Sequence, residues 1–131
     1  MRLLLNICVP VSGRLGLEAA LEALVSLDRV YLRSHPSTPA LYQAGVRYLR
    51  DVDERDQGRP AAELWYTIPD VLRSGGADCK CLAAWRVSEL REAGEAARVY
   101  VVHPAPRLWH IQVRRSDGSI EDPSAILGMR G

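Results

Sequence analysis

Residues 108–122 read LWHIQVRRSDGSIED, and their alternation leaves little choice of structure. Trp109, Ile111 and Val113 make one apolar face. Leu108, His110, Gln112 and Arg114 make the other, with the period of two that marks a strand. Ser116-Asp117-Gly118 suits a type I turn with glycine in the left-handed bulge position. A three-residue loop of that kind pairs Arg115 with Ser119 and therefore Gln112 with Asp122. His110 then lies two residues along the same face, a diagonal neighbour of Asp122 about 7 Å away between backbones and within side-chain reach. A two-residue Asp-Gly loop would pair Val113 with Asp122 and turn the acid to the other face. The three-residue turn is the expectation.

The remaining elements are placed around this hairpin. Residues 3–11 read as a buried strand ended by Pro10, Ser12 and Gly13. From 15 to 31, Leu17, Leu21, Leu24, Val25 and Leu27 recur at helical spacing, with Glu18 and Glu22 on the solvated side. Residues 34–39 are a proline-rich break, and 41–49 are ambiguous between extended chain and a short helix. Residues 51–60 form a polar surface loop, and 61–73 a helical or turn-rich segment broken at Pro69. Ser74-Gly75-Gly76-Ala77-Asp78 leads into a second helix, from Cys79 to about Ala93, stopped at Gly94 in a left-handed cap. A strand over 97–103 precedes the hairpin, and the tail after Pro123 is irregular. This order gives an α+β class, a helical N-terminal half followed by a helix and an antiparallel sheet. The whole of 1–131 fits a single domain.

Composition narrows the function. With 131 residues the chain can bury about two-thirds of its unfolded surface without staples. A net charge of +1 argues against a broad nucleic-acid or membrane footprint. The cysteines are Cys8, Cys79 and Cys81, an odd and low number that suits a reducing compartment rather than a disulfide framework. The N-terminal MRLLLNICVPV is too short to span a bilayer and lacks a cleavage site, so the expected location is the cytoplasm.

Cys79 is where chemistry concentrates. A protonated thiol is a poor nucleophile, and a free cysteine ionises only near about 8.5. A helix start offers partial positive charge and N–H groups with no partner inside the helix, which favour a thiolate and can hold an oxyanion. The glycines before it allow close approach of a substrate backbone, and Asp78 caps the helix. A nucleophile needs a base and the base an orienting acceptor, and His110 and Asp122 supply both. On the helix, Cys79, Ala83, Arg86 or Val87, and Leu90 share a stripe suited to packing on the sheet, which directs Cys79 toward the His110 face. Cys81, about 200° further round, is structural or semi-exposed.

These residues resemble the transglutaminase-like superfamily, within the papain-like thiol enzymes. The pattern is GGADCKCLAAWRVSELREAGEAARVYVV, then LWHIQV, then DGSIEDPS, and it covers about residues 60–128. The resemblance implies a nucleophile helix packed on a small antiparallel sheet, with Cys79 as nucleophile, His110 as base and Asp122 as orienting acid. Family members often carry an acidic residue after the cysteine, where this chain has Lys80. An oxyanion side chain from the first 60 residues is also implied; Gln43 is the first choice, with Asn6 and Trp65 behind it. LYQAGVRYL, ELWYTIPDVL and DCKCLAAWRVSELR resemble a compact version found in bacteriophage and prophage products, which implies virion proteins as partners.

The expected reaction is attack by the Cys79 thiolate on an amide carbonyl of a protein or peptide, through a thioester. Hydrolysis is favoured over transamidation, without cofactor or metal. Two other readings stand beside it. Cys79, Cys81, His103 and His110 offer four nitrogen and sulfur ligands, although C-x-C is less typical of structural zinc than C-x₂-C. The fold is also compatible with a catalytically silent structural or interaction protein.

Overall fold

The computed structural model describes residues 13–50, 65–106 and 108–129. The expected first strand and the polar loop lie outside them, as does the start of the 61–73 segment. Helix α1 spans Gly13–Ser34, followed by a 3-10 turn at Leu41–Gln43 and strand β1 at Arg47–Tyr48. Helix α2 spans Ile68–Ser74, β2 Gly76–Ala77 and α3 Cys79–Glu92. Strands β3 (Arg98–Ala105), β4 (Leu108–Arg114) and β5 (Ile120–Glu121) precede a last short helix, α4 (Pro123–Ile126). The class is α+β, with β3-β4-β5 antiparallel and a separate parallel pair, β1-β2.

Helix α3 is the hub. Asp78 caps its start, accepting from the N–H groups of Lys80 and Cys81. Its end is a Schellman motif: Glu95 N–H donates to the Leu90 carbonyl at 2.9 Å, Gly94 N–H to that of Arg91 at 3.0 Å, and Gly94 has φ of 92°. Both ends fall where the sequence places them. One flank of α3, through Ala83, Ala84, Val87 and Leu90, joins Leu21, Leu24 and Val25 of α1 and Val99, Val101, Ile111 and Val113 of the sheet. The other, through Leu82 and the fully buried Trp85, joins Leu41, Ile68 and Val71.

Along α1 the buried set is Leu21, Leu24, Val25 and Asp28. Leu27, expected in the apolar stripe, is 48% exposed because its angle on the helix falls outside that face, and Asp28 takes the inward position. Ser88 approaches α1 closely enough for its hydroxyl to donate to the Val25 carbonyl at 3.2 Å. Pro69 does not break α2; it sits in the first turn, where its missing N–H costs nothing. The tail from Pro123, expected to be irregular, starts as α4, because Asp122 caps it through the Ala125 N–H.

Candidate active site

The hairpin has the three-residue turn. Arg114 pairs with Ile120 and Val113 with Glu121, so the count places Gln112 opposite Asp122. Arg115 N–H donates to the Ser119 carbonyl at 2.8 Å, Gly118 N–H to that of Arg115 at 2.9 Å, and Gly118 has φ of 87°. The face split follows: Ile111 and Val113 are buried, while His110, Gln112 and Arg114 are half-buried. Nε2 of His110 lies 2.8 Å from Oδ2 of Asp122. Gln112 Nε2–H donates to the same oxygen at 3.1 Å, and Oδ1 accepts from Ala125 N–H at 3.3 Å. Burial opposes ionisation of Asp122, but the donors from His110, Gln112 and Ala125 outweigh it and hold the carboxyl below its usual range.

Cys79 is the first residue of α3, half-buried, and its side chain lies against the cluster of α1, α3 and the sheet. Trp65 and Trp109 lie against the same cluster. The stripe expected to direct Cys79 toward His110 packs instead on the sheet face that carries Ile111 and Val113. Burial of apolar area decides that choice, and alternation leaves His110 on the opposite face. Cys81 is 1% exposed, and its sulfur accepts from the Tyr66 N–H at 3.2 Å. Burial first, then the Asp78 carboxylate, pushes its thiol far up, so it is a structural cysteine. Neither Cys79 nor Cys81 is in a disulfide.

The oxyanion candidates divide. Trp65 comes to the helix start, with the Lys80 ammonium 6.0 Å from its ring centre. Gln43 is exposed in the 3-10 turn, whose Leu41 N–H donates to Glu89 at 3.1 Å. That contact sets the turn beside the far half of α3, about 15 Å along the axis from Cys79 at 1.5 Å per residue. Asn6 lies outside the described residues. Tyr48, which the sequence did not suggest, does belong to the site's surroundings. It pairs with Ala77, and its phenol is held up first by burial and then by the charges of Cys79 and Asp78.

The glycines before Cys79 are required by chain geometry. Gly75 is the left-handed cap of α2, with φ of 78°. Gly76 is buried, and a Cβ there would meet the Arg47 carbonyl oxygen at 2.1 Å. Of the alternative metal ligands, His103 stacks on Trp109 at 4.0 Å between ring centres, while His110 is held by Asp122. Among the described residues no three of His, Cys, Asp and Glu gather as a metal would need. No described helix is long and apolar enough to cross a membrane.

No family model, no curated protein and no solved structure matches this chain.

Proposed function

We propose that this chain is a cysteine-nucleophile acyl-transfer enzyme with the papain-like core of the transglutaminase-like superfamily, acting on an amide bond of a protein or peptide. The observation that carries the reading is the Asp122 carboxylate, which bonds His110 at 2.8 Å and Gln112 at 3.1 Å on the hairpin that follows the Cys79 helix. A capped helix opened by a half-buried cysteine, with the neighbouring Cys81 fully buried, supports it further.

The chemistry follows from the atoms. Asp122 occupies Nε2, so Nδ1 is the ring nitrogen available to the thiol. The proposal requires one juxtaposition that the packing of α3 on the Ile111 and Val113 face does not itself supply: the Cys79 sulfur must reach the His110 face of β4, where Nδ1 takes its proton. The thiolate attacks the amide carbonyl, and the oxyanion forms at the positive end of α3. Imidazolium, steadied by Asp122, then protonates the leaving amine as the thioester forms. Water regenerates the cysteine, and this hydrolysis is favoured over transfer to an amine. The resemblance also makes a bacterial or bacteriophage protein, active in the host cytoplasm and associated with virion proteins, the expected setting.

The test is the rate of Cys79 alkylation by iodoacetamide at pH 7, read by peptide mass spectrometry, in the wild type and His110→Ala. A thiol near its free value is about 3% ionised at that pH, so a coupled one gains up to about thirtyfold. Loss of at least about tenfold in His110→Ala is expected. Equal rates would leave the catalytically silent reading in its place.

A further inference from the structure

Cys79 sits between two charged residues that are both out of water, Asp78 at 9% and Lys80 at 8% exposure. The Asp78 carboxylate serves two partners. Its Oδ1 accepts from Lys80 N–H at 3.1 Å and Cys81 N–H at 3.4 Å, which caps α3. Its Oδ2 takes the Lys80 ammonium in a buried ion pair. Lys80 is the only lysine of the chain, in which every other basic side chain apart from histidine is arginine. An ammonium on a flexible stem is a compact point charge, and here it folds back on a carboxylate only two residues before it.

This arrangement answers a conflict. The helix needs a cap, and a carboxylate is a good one. A buried carboxylate directly before a cysteine, however, opposes ionisation of that cysteine, because like charges disfavour one another at short range. It also offsets the positive helix end that would favour a thiolate. A serine or threonine would cap without charge; this chain keeps the aspartate and adds a cation.

We propose, on the reading of Cys79 as nucleophile, that Lys80 is a positioning residue: its ammonium neutralises the cap carboxylate, so that the positive end of α3 acts undiminished on the Cys79 sulfur. Two neighbours respond to the same pair of charges. The Cys81 thiol is pushed up by burial and Asp78 and drawn back by Lys80. The Tyr48 phenol is pushed up by burial, Cys79 and Asp78 and drawn back by Arg50 and Lys80. The charged and titratable groups that meet at this helix start are therefore Cys79, its cap Asp78, Lys80 and Tyr48, with Cys81 answering to Asp78 and Lys80 and Arg50 acting on Tyr48; His110 joins them in the proposed enzyme.

The experiment measures Cys79 alkylation by iodoacetamide from pH 5 to 10 in the full chain. The variants are Lys80→Met, Lys80→Arg, Asp78→Asn with Lys80→Met, and His110→Ala. Lys80→Met is expected to move the midpoint upward and slow the reaction at pH 7 about tenfold, about one pH unit for one lost charge. Lys80→Arg is expected to restore most of the rate. The neutral double variant is expected to return toward the wild type, since it removes the repelling charge together with its partner. If Lys80→Met changes only the melting temperature, or the double variant is as slow as Lys80→Met, the proposal falls. Should Lys80→Met not fold, the double variant decides: a midpoint near the wild type supports the role and one about a unit higher overturns it. His110→Ala separates the two readings. No response there removes the nucleophile reading itself, whereas a response there with none at Lys80 removes only this inference.

Discussion

Nε2 of His110 and Oδ2 of Asp122 stand 2.8 Å apart across twelve residues of chain, brought together by a turn of three. The same aspartate caps α4 through its other oxygen, so one side chain has two separable jobs. Asp122→Asn keeps the cap, because asparagine caps as well as aspartate, and removes the charge that in the proposed mechanism steadies imidazolium. It is expected to slow Cys79 alkylation at pH 7 about tenfold with little change in melting temperature. Asp122→Ala also loses the cap, about 1 kcal/mol, seen as a drop of about 3–5 °C for a domain of this size. The wild-type carboxyl lies below its ordinary range. Its contribution is therefore present above about pH 4 and lost as pH falls through the folded value, a loss absent in Asp122→Asn. Equal alkylation rates in wild type and Asp122→Asn would show the pair to be a cap and nothing more.

What could be read from the sequence was what the chain settles locally. The Ser-Asp-Gly turn fixes its own register, and Asp78 and Gly94 mark the ends of α3, so the hairpin, the helix and the His110–Asp122 contact all follow from short-range chemistry. Gln112 was already opposite Asp122 in that register, and only its role as a second donor was missed. The pairing of Arg47 with Gly76 joins positions far apart in sequence through two-residue strands, too short for any periodicity to register. Tyr48 was invisible for that reason. Gln43 went astray for a related one: nothing local says which end of α3 its turn will meet.

The two glycines before Cys79 make a contrast that tests this long-range pairing. Gly75 has φ of 78° with open space around a would-be Cβ, so Gly75→Ala carries only the left-handed penalty, about 1–2 kcal/mol. At Gly76 a Cβ would meet the Arg47 carbonyl oxygen at 2.1 Å and Leu49 at 2.8 Å, so β1 has to move. Gly76→Ala is expected to cost about 3 kcal/mol or more. It should also alter the Cys79 alkylation rate, because β1 carries Tyr48. Urea unfolding of both variants checks the order; equal costs would mean that β1 does not hold the register described.

The two thiols of α3 should differ sharply in reactivity. Cys81 is 1% exposed and accepts from Tyr66, whereas Cys79 is half-buried at the helix start. Brief treatment of the folded protein with iodoacetamide at pH 8 is expected to label Cys79 and leave Cys81 untouched, with both labelled after unfolding. Labelling of Cys81 at a comparable rate in the folded protein would place it outside the core and undo the packing around Trp85.

Asp28 gives a pH dependence separate from that of the candidate site. It is fully buried on α1, with Oδ1 accepting from Ile68 N–H at 2.9 Å and Oδ2 without a partner. Burial pushes its carboxyl up to about 8, with the Ile68 N–H pulling the other way. An unfolded chain gives up this proton near about 3.9. Between the two values the folded protein keeps a proton that the unfolded one has lost, so stability falls as pH rises from about 4 to about 8. The loss is on the order of 5 kcal/mol at most, at about 1.4 kcal/mol per unit. Asp28→Asn keeps an acceptor for Ile68 and cannot ionise. Urea unfolding at pH 5, 7 and 9 is expected to show the wild type losing stability across the series while Asp28→Asn stays level and overtakes it. Parallel profiles would mean that water reaches this carboxyl and that α1 does not seal the start of α2.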